Sequence, residues 1–233
     1  MKITPEVLAG MIDHSELRPF ATESDIRSFC EIVKRYCFAA AYVLPVNLSI
    51  ARSELQNCPT KLGTGIGFPL GTSTLKTKLY EAEDAMHLGA EELDVVINIG
   101  ALKSGRLSVV SEELKSLVRL IHPRPLKVII EVCYLNPQEI VEAVNICCDV
   151  GATYVKTATG FGNRPTTLED VKLVVEAAKG RIGVKASGGI RDLSMLLNMY
   201  RLGATRFGVS CGDKLIEELK TTYGGTVDLE VVN

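Results

Sequence analysis

Short apolar runs alternate with amphipathic helical periods along the whole chain. Such runs are typical of buried strands, and they occur in seven segments. The predicted strands are residues 39–44, 61–68, 93–98, 127–132, 154–157, 183–186 and 206–209. The helical period between them is clear in the set Ile26, Phe29, Cys30 and Val33. Strand and helix therefore follow one another from the first third of the chain to its end.

This alternation predicts an α/β fold with a parallel sheet, either closed as a (β/α)₈ TIM barrel or open and doubly wound. An open nucleotide-binding sheet should carry G-x-G-x-x-G, but Phe68 stands where a third glycine would follow Gly63 and Gly65. Residues 12–15 can supply an eighth strand after a short N-terminal helix near 5–10. We therefore predict one barrel domain over residues 1–224, with a C-terminal tail over 225–233.

Charge and composition favour a protein that binds small molecules. The 233 residues include 26 basic and 28 acidic side chains, a formal net charge of −2, and 46% are hydrophobic. The basic residues are scattered, which argues against nucleic acid or a membrane surface as a partner. No signal-like apolar stretch is present at the N-terminus, so we expect a cytoplasmic protein. The seven cysteines form no C-x-x-C pair and are expected to be reduced.

A repeat at the helix ends places polar residues in one register. Glycine followed by alanine or arginine recurs where a left-handed C-cap is expected before a strand. Five residues after these glycines the chain carries Asp94, Lys156, Lys185 and Gly208. If this register faces inward, two lysines and an aspartate converge near the C-terminal mouth of the barrel, where such enzymes carry their chemistry.

Lys156 and Lys185 are the polar members of otherwise apolar strands, where an unpaired lysine is rare. Two ammonium groups about 6 Å apart would repel by about 2.8 kcal/mol, or about two pKa units. One amine would then be available as a nucleophile for imine formation. The alternative is a salt bridge from each lysine to an acid across the barrel.

Three carboxylates are candidates for partners of these lysines. Asp94, in an apolar strand, is either a counter-ion or a proton shuttle. Asp13 lies on the uncertain eighth strand, so a cap or turn role is an equal alternative. Glu131, at the end of strand 127–132, is interpreted as a structural partner.

Glycine-rich loops after the last strands predict an anion site. Gly188 and Gly189 precede one helical segment, and residues 208–212 precede another, so backbone N–H groups can approach a phosphate at helix N-termini. Gly160 can contribute to the same cup. The histidines and cysteines show no zinc spacing, and no metal site is predicted.

Several motifs together resemble one family. They are I-D-H-S-E-L-R-P-F-A-T, G-F-P-L-G, E-L-D-V-V-I-N-I-G, L-K-V-I-I-E, Y-V-K-T-A-T-G-F, V-K-A-S-G-G-I-R and G-V-S-C-G. The chain resembles deoxyribose-phosphate aldolase, a class I aldolase. The resemblance implies a (β/α)₈ barrel that reversibly cleaves 2-deoxy-D-ribose 5-phosphate to D-glyceraldehyde 3-phosphate and acetaldehyde in deoxyribonucleoside catabolism. It implies no cofactor, and a homodimer or homotetramer.

The resemblance also implies roles for individual residues. Lys156 matches the Schiff-base lysine, Lys185 the lysine that perturbs it, Asp94 the proton-transfer acid and Asp13 a supporting acid. The residues that match the phosphate cup are Gly160, Gly188, Gly189 and Ser210.

The chain departs from the family pattern at four places. Cys211 stands where many relatives have a second serine, Val132 replaces a threonine, and Leu44 replaces an asparagine before Pro45. No terminal tyrosine is present, so no catalytic tyrosine is assigned. Two alternatives to the aldolase are another phosphate-sugar barrel enzyme and a non-catalytic sensor of sugar phosphates.

Overall fold

The computed structural model describes residues 2–228 and contains a closed barrel of eight parallel strands. The barrel strands are β2 (Ile12–Glu16), β3 (Ala40–Val43), β4 (Lys61–Ile66), β5 (Glu92–Val96), β6 (Leu126–Ile129), β7 (Tyr154–Lys156), β8 (Gly183–Ser187) and β9 (Arg206–Val209). Two short strands, β1 (Lys2–Ile3) and β10 (Val227–Asp228), lie outside the barrel. Strands β2 to β9 pair in chain order around the barrel, and β9 returns to β2 through Asp13 and Gly208. The predicted (β/α)₈ barrel is confirmed, and the open-sheet alternative is wrong.

Helices follow the strands on the outside of the barrel. They are α1 (Pro5–Ala9), α2 (Glu23–Tyr36), α3 (Leu48–Glu54), α4 (Leu75–His87), α5 (Ile99–Lys103), α6 (Leu107–Ile121), α7 (Pro137–Asp149), α8 (Leu168–Ala178), α9 (Leu193–Arg201) and α10 (Gly212–Thr222). Short 3₁₀ turns occupy Pro45–Asn47 and Val132–Tyr134. No helix among residues 2–228 is long and apolar enough to cross a membrane.

Local sequence explains where the helices start and which face they bury. In α2 the buried residues are Ile26, Phe29, Cys30 and Val33, the same set that carries the helical period. Helix α7 starts with a capping box in which the Asn136 side chain accepts from the Glu139 backbone N–H, and the Glu139 side chain accepts from that of Asn136. Each helix therefore presents an apolar stripe to the barrel wall.

Five predicted strands end earlier than their apolar runs, and in two of them a left-handed residue follows the strand end. The β4 strand stops at Ile66 because Gly67 takes a left-handed conformation with φ +59°. In the same way β6 stops at Ile129, since Glu131 has φ +53° and the 3₁₀ turn begins directly after it. A left-handed residue turns the chain out of the extended conformation. Both turns lie at the C-terminal ends of their strands.

The chain ends meet outside the barrel. Strands β1 and β10 form an antiparallel pair in which Lys2 faces Asp228 and Ile3 faces Val227. Part of the segment predicted as a tail is therefore paired with the N-terminus. Residues 229–233 of that segment lie outside the described residues, and the boundary at residue 224 stays a prediction.

Candidate active site

Lys156 and Lys185 occupy adjacent positions on neighbouring strands. Lys156 is the last residue of β7, and it is paired in register with Lys185 on β8. Both ammonium groups donate to the same oxygen of Asp94, with Nζ to Oδ2 distances of 2.7 Å for Lys156 and 2.8 Å for Lys185. Asp94 lies on β5, three strands from β8, so these contacts must cross the barrel interior. The residues that the sequence placed in one register are thus brought together.

The fourth member of that register makes room for the lysine. A Cβ atom on Gly208 would lie 2.9 Å from the Ser187 Cβ and 3.3 Å from the Lys185 Cε. Distances this short force a neighbour to move. Glycine at this position therefore lets the Lys185 side chain cross the barrel toward Asp94.

Asp13 lies in the middle of β2 and not at a helix cap or turn. Its carboxylate is buried and meets three cations, with distances of 2.9 Å to Lys127 Nζ, 2.5 Å to Lys185 Nζ and 2.6 Å to Arg206 Nε. Because β2 and β6 are on opposite sides of the barrel, the contact with Lys127 spans its centre. Asp13 therefore links Lys185 of the lysine pair to two further cations, Lys127 and Arg206.

Several residues of this centre were missed by the sequence analysis. They are Tyr42 on β3, Glu92 on β5, Lys127 on β6 and Arg206 on β9. Lys127 carried the same signal as the other lysines, a polar residue in an apolar strand. Tyr42 and Arg206 carried none, since a tyrosine in an apolar run is ordinary core and an arginine at a strand start is ordinarily exposed.

Five side chains form a closed ring of hydrogen bonds and ion pairs. Lys127 bridges Asp13 and the Tyr42 hydroxyl, at 2.9 and 2.8 Å, and Tyr42 donates to Asp94 Oδ1 at 2.6 Å. Lys185 closes the ring from Asp94 back to Asp13. Lys156 is attached to the ring through Asp94 and is the most exposed of the three lysines at the barrel centre, at 5% against 1% for Lys127 and Lys185. The geometry thus leaves Lys156 facing the mouth.

The electrostatics follow from this arrangement. The inward charges are Asp13, Glu92, Asp94, Lys127, Lys156, Lys185 and Arg206, four cations against three anions. Burial lowers the pKa of Lys185 to about 8, and the cations Lys156 and Lys127 act in the same direction against Asp13 and Asp94. Burial opposes ionisation of Asp94, but the surrounding lysines outweigh it and hold its pKa well below the usual range. The same balance keeps Asp13 ionised.

A cleft of about 790 Å³ opens above these groups. Both site lysines line this cleft. The four residues predicted to hold phosphate also line it, and these are Gly160, Gly188, Gly189 and Ser210. Helix α9 starts four residues after Gly189, and helix α10 starts two residues after Ser210. Gly189 has φ +88°, and a Cβ there would lie 2.4 Å from the Pro165 Cβ, so only glycine fits. The loops can therefore present backbone N–H groups to an anion.

Glu131 holds the neighbouring loop. Its carboxylate accepts hydrogen bonds from the backbone N–H of Thr159, at 3.1 Å, and from the Thr159 hydroxyl. Thr159 stands next to Gly160 in the loop after β7. Glu131 therefore supports the cleft wall as a structural partner.

Two cysteines lie near the mouth. Burial raises the pKa of both the Cys133 and the Cys211 thiol. The Cys211 Sγ lies 3.7 Å from the Ile190 carbonyl oxygen, to which it donates. Both are held as neutral thiols. Within residues 2–228 no group of three or more histidines, cysteines or acids is arranged to hold a metal ion.

Comparison with known proteins places this barrel among the aldolases. A family model described as DeoC/LacD family aldolase matches residues 8–217, which contain every side chain of the ring. The chain belongs to this family. The aldolase description agrees with a barrel interior that holds lysines and carboxylates, since these groups can form imines and carry protons.

Relatives support the assignment across nearly the full length. The chain is 43% identical to the deoxyribose-phosphate aldolase of Thermoanaerobacter sp. (strain X514), over 91% of this chain and 96% of the relative. It is 45% identical to that of Clostridium tetani, over 90% and 97%. Among solved structures, the deoxyribose phosphate aldolase of Aeropyrum pernix, described as having a unique tetrameric structure, matches with a TM-score of 0.87 at 33% identity, covering 94% of this chain and 93% of that one.

Proposed function

We propose that this DeoC/LacD family member is a class I aldolase that reversibly cleaves 2-deoxy-D-ribose 5-phosphate to D-glyceraldehyde 3-phosphate and acetaldehyde, in deoxyribonucleoside catabolism. The observation that carries the proposal is the pair Lys156 and Lys185 donating to one oxygen of Asp94 below an open cleft. A neutral lysine amine beside a proton carrier is the arrangement that imine formation requires. The names of the relatives above supply the substrate.

The reaction starts when the unprotonated amine of Lys156 attacks the C1 aldehyde of the open-chain sugar. The carbinolamine loses water and becomes an iminium ion, which draws electrons from the neighbouring carbons. The C3 hydroxyl then loses its proton, the bond between C2 and C3 breaks, and its electrons form an enamine. Protonation of the enamine at C2 and hydrolysis of the resulting imine release acetaldehyde and restore the amine.

Asp94 and Lys185 are proposed as the proton carriers of this sequence. Asp94 Oδ2 touches both lysines, so a proton can pass between Lys156 and Lys185 through a single carboxylate oxygen. Lys185, with a pKa lowered to about 8, exists in both forms near neutral pH. Asp13 is proposed as the supporting acid that holds Lys185 from the opposite side.

The phosphate is proposed to bind at Gly160, Gly188, Gly189 and Ser210. The Ser210 hydroxyl is the side-chain donor in the loop before α10, and Cys211 follows it. We expect Ser210→Ala to raise KM for deoxyribose 5-phosphate by about 10- to 100-fold, since one hydrogen bond to a charged group is lost. KM for unphosphorylated deoxyribose should stay within about twofold. Equal effects on both substrates would place the phosphate elsewhere.

We also propose that the protein forms a homo-oligomer, because one structural relative is described as tetrameric. That the protein needs no cofactor and that it is cytoplasmic both stay predictions from the sequence. The sensor and the other barrel enzymes have no observation in their favour.

Borohydride reduction in the presence of deoxyribose 5-phosphate or acetaldehyde tests the proposal. Peptide mass spectrometry should find the reduced adduct on Lys156. Lys156→Ala should yield no adduct, while Lys103→Ala, which removes an exposed lysine from α5, should be trapped like the unmodified protein. Binding of the sugar phosphate without any adduct would reject the Schiff-base mechanism and favour a sensor.

A further inference from the structure

Tyr42 is the one uncharged member of the ring at the barrel centre. Its side chain projects inward from β3 and is only 3% exposed. The hydroxyl lies 2.6 Å from Asp94 Oδ1 and 2.8 Å from Lys127 Nζ. Nothing in the proposed reaction uses this phenol directly, yet it touches the proposed proton carrier.

The chemistry of the neighbours decides the direction of both hydrogen bonds. An ammonium group has protons to donate and no lone pair to accept, so Lys127 donates to the Tyr42 oxygen. The single hydroxyl proton of Tyr42 is then left for Asp94 Oδ1. The order of donation is therefore from Lys127 to Tyr42 to Asp94.

We propose that Tyr42 is a positioning residue for Asp94, which keeps Oδ2 turned toward Lys156 and Lys185 by occupying Oδ1 with a neutral donor. The proposal rests on the proposed function, because it assigns Tyr42 to the proton transfer at Lys156. Lys127 Nζ is 4.0 Å from Asp94 Oδ1, beyond hydrogen-bond distance. The Tyr42 hydroxyl thus takes the place of a direct hydrogen bond from Lys127, whose charge acts on Asp94 only from this longer distance. A charged donor in direct contact would stabilise the Asp94 anion more strongly and make it a poorer proton acceptor.

The barrel is built to hold the Tyr42 ring. Gly63 on β4 is paired in register with Tyr42, and a Cβ there would lie 2.5 Å from the Tyr42 Cζ. The ring also lies close to two ammonium groups, with 4.2 Å from its centroid to Lys185 Nζ and 4.8 Å to Lys127 Nζ. Cations over an aromatic face attract it. These contacts fix the position of the ring, and its hydroxyl therefore lies within hydrogen-bond distance of Asp94.

The first test is Tyr42→Phe, which keeps the ring and removes the hydroxyl. We expect kcat for cleavage of deoxyribose 5-phosphate to fall about 10- to 100-fold, because a carboxylate free to turn is misplaced for proton transfer. KM should stay within about twofold, since the cleft loops are unchanged. The matched control is Tyr36→Phe, which removes a hydroxyl that donates to Glu217 on the surface at 3.0 Å. The control should keep the wild-type kcat.

The second test is Gly63→Ala, which leaves every titratable group in place. The added methyl group must push the Tyr42 ring from its position. We expect the same pattern, a fall in kcat with KM little changed. Rates are expressed per Lys156 that borohydride traps, so loss of folded protein does not lower the measured kcat.

The results separate this inference from the proposed function. Absence of turnover and of the Lys156 adduct in the wild-type protein would reject the proposed function itself. A wild-type protein that is active, with kcat in Tyr42→Phe and Gly63→Ala within twofold of wild type, would overturn the role of Tyr42 alone. A rise in KM with unchanged kcat in both variants would also overturn it, because Tyr42 would then shape the binding cleft.

Discussion

Lys156 and Lys185 lie side by side on neighbouring strands and share a single oxygen of Asp94. A shared counter-ion lets two side chains of like charge approach closely. Because burial lowers the pKa of Lys185 to about 8, the charge beside Lys156 changes close to neutral pH. The pair therefore couples the surroundings of the nucleophile to the pH of the solution.

The coupling predicts the behaviour of Lys185→Leu. The pKa of Lys185 is lowered to about 8, so its positive charge is present below that pH and lost above it. Without this group, kcat should fall, and any change in rate near pH 8 that follows the titration of Lys185 should be absent. Measurement of the cleavage rate against pH in both proteins tests this. A variant profile with the same change near pH 8 would mean that the titration of Lys185 does not control the rate.

Asp94→Asn tests the proton carrier. The amide keeps the shape of the carboxylate but cannot take up a proton, so we expect kcat to fall by about 100-fold or more. Binding should persist, because the phosphate loops do not touch Asp94. Binding of the sugar phosphate by calorimetry and single-turnover cleavage separate the two effects. If the variant bound the sugar phosphate weakly but cleaved it at the wild-type rate once it was bound, Asp94 would be a structural partner of the lysines.

His14 should make stability depend on pH between neutral and acid. The imidazole stacks between Phe29 and Phe38, and the Gly212 N–H donates to its Nδ1 at 3.3 Å. Burial lowers the pKa of His14 from 6.5 to about 4, against the attraction of Asp213 and Glu16. As the pH falls, His14 of the unfolded chain therefore takes up its proton at a higher pH than His14 of the folded protein. Stability contributed by neutral His14 is complete above pH 6.5 and falls by about 3 kcal/mol as pH drops to 4.

The variant His14→Gln isolates this effect. We expect it to lose part of the stability difference between pH 7 and pH 5, because glutamine does not titrate. Urea unfolding of both proteins at the two pH values gives the comparison, and acids common to both cancel in it. Equal pH dependence in the two proteins would show that His14 is not responsible.

Lys78 and Glu113 form an ion pair that is buried outside the site. Lys78 Nζ donates to Glu113 at 2.8 Å and to the Val96 carbonyl oxygen at 2.7 Å. Burial lowers the pKa of Lys78 and raises that of Glu113, each against the attraction of its partner. Lys78→Met should reduce the free energy of unfolding by about 3–5 kcal/mol, since it leaves a lone charge in the core.

The double variant Lys78→Met with Glu113→Leu should recover much of that loss. Removal of both charges replaces the pair by apolar packing, which is often nearly neutral for stability. Chemical denaturation at pH 7 gives the free energy of unfolding of the wild type, of Lys78→Met, of Glu113→Leu and of the double variant. If the loss in the double variant equals the sum of the losses in the two single variants, the two groups are not coupled.

Part of the site could be predicted because strand chemistry is local. Lys156 and Lys185 stood out as polar residues in apolar strands, and a fixed count from the preceding glycine placed both in the same register. The count works because each of those glycines has positive φ and ends its helix at the same point relative to the next strand. The motifs of the family supplied the substrate, which no spacing could give.

Tyr42, Arg206 and Glu92 could not be found this way. Their partners lie on strands that are distant along the chain, and nothing in their own segments separates them from ordinary barrel residues. Tyr42 meets Asp94 across 52 positions, and Asp13 meets Arg206 across 193. Contacts of this kind depend on how the barrel closes.

Residue order alone predicts the alternation of strands and helices, the helix boundaries set by caps and glycines, and the shared register of the two site lysines. These features depend on the chemistry of residues within a few positions of one another. The ring that Lys127 and Tyr42 complete with the two aspartates, and the single oxygen to which both site lysines donate, depend on the folded barrel. Barrel closure brings side chains from opposite strands within hydrogen-bond distance, where burial makes each charge depend on partners that are remote in the chain.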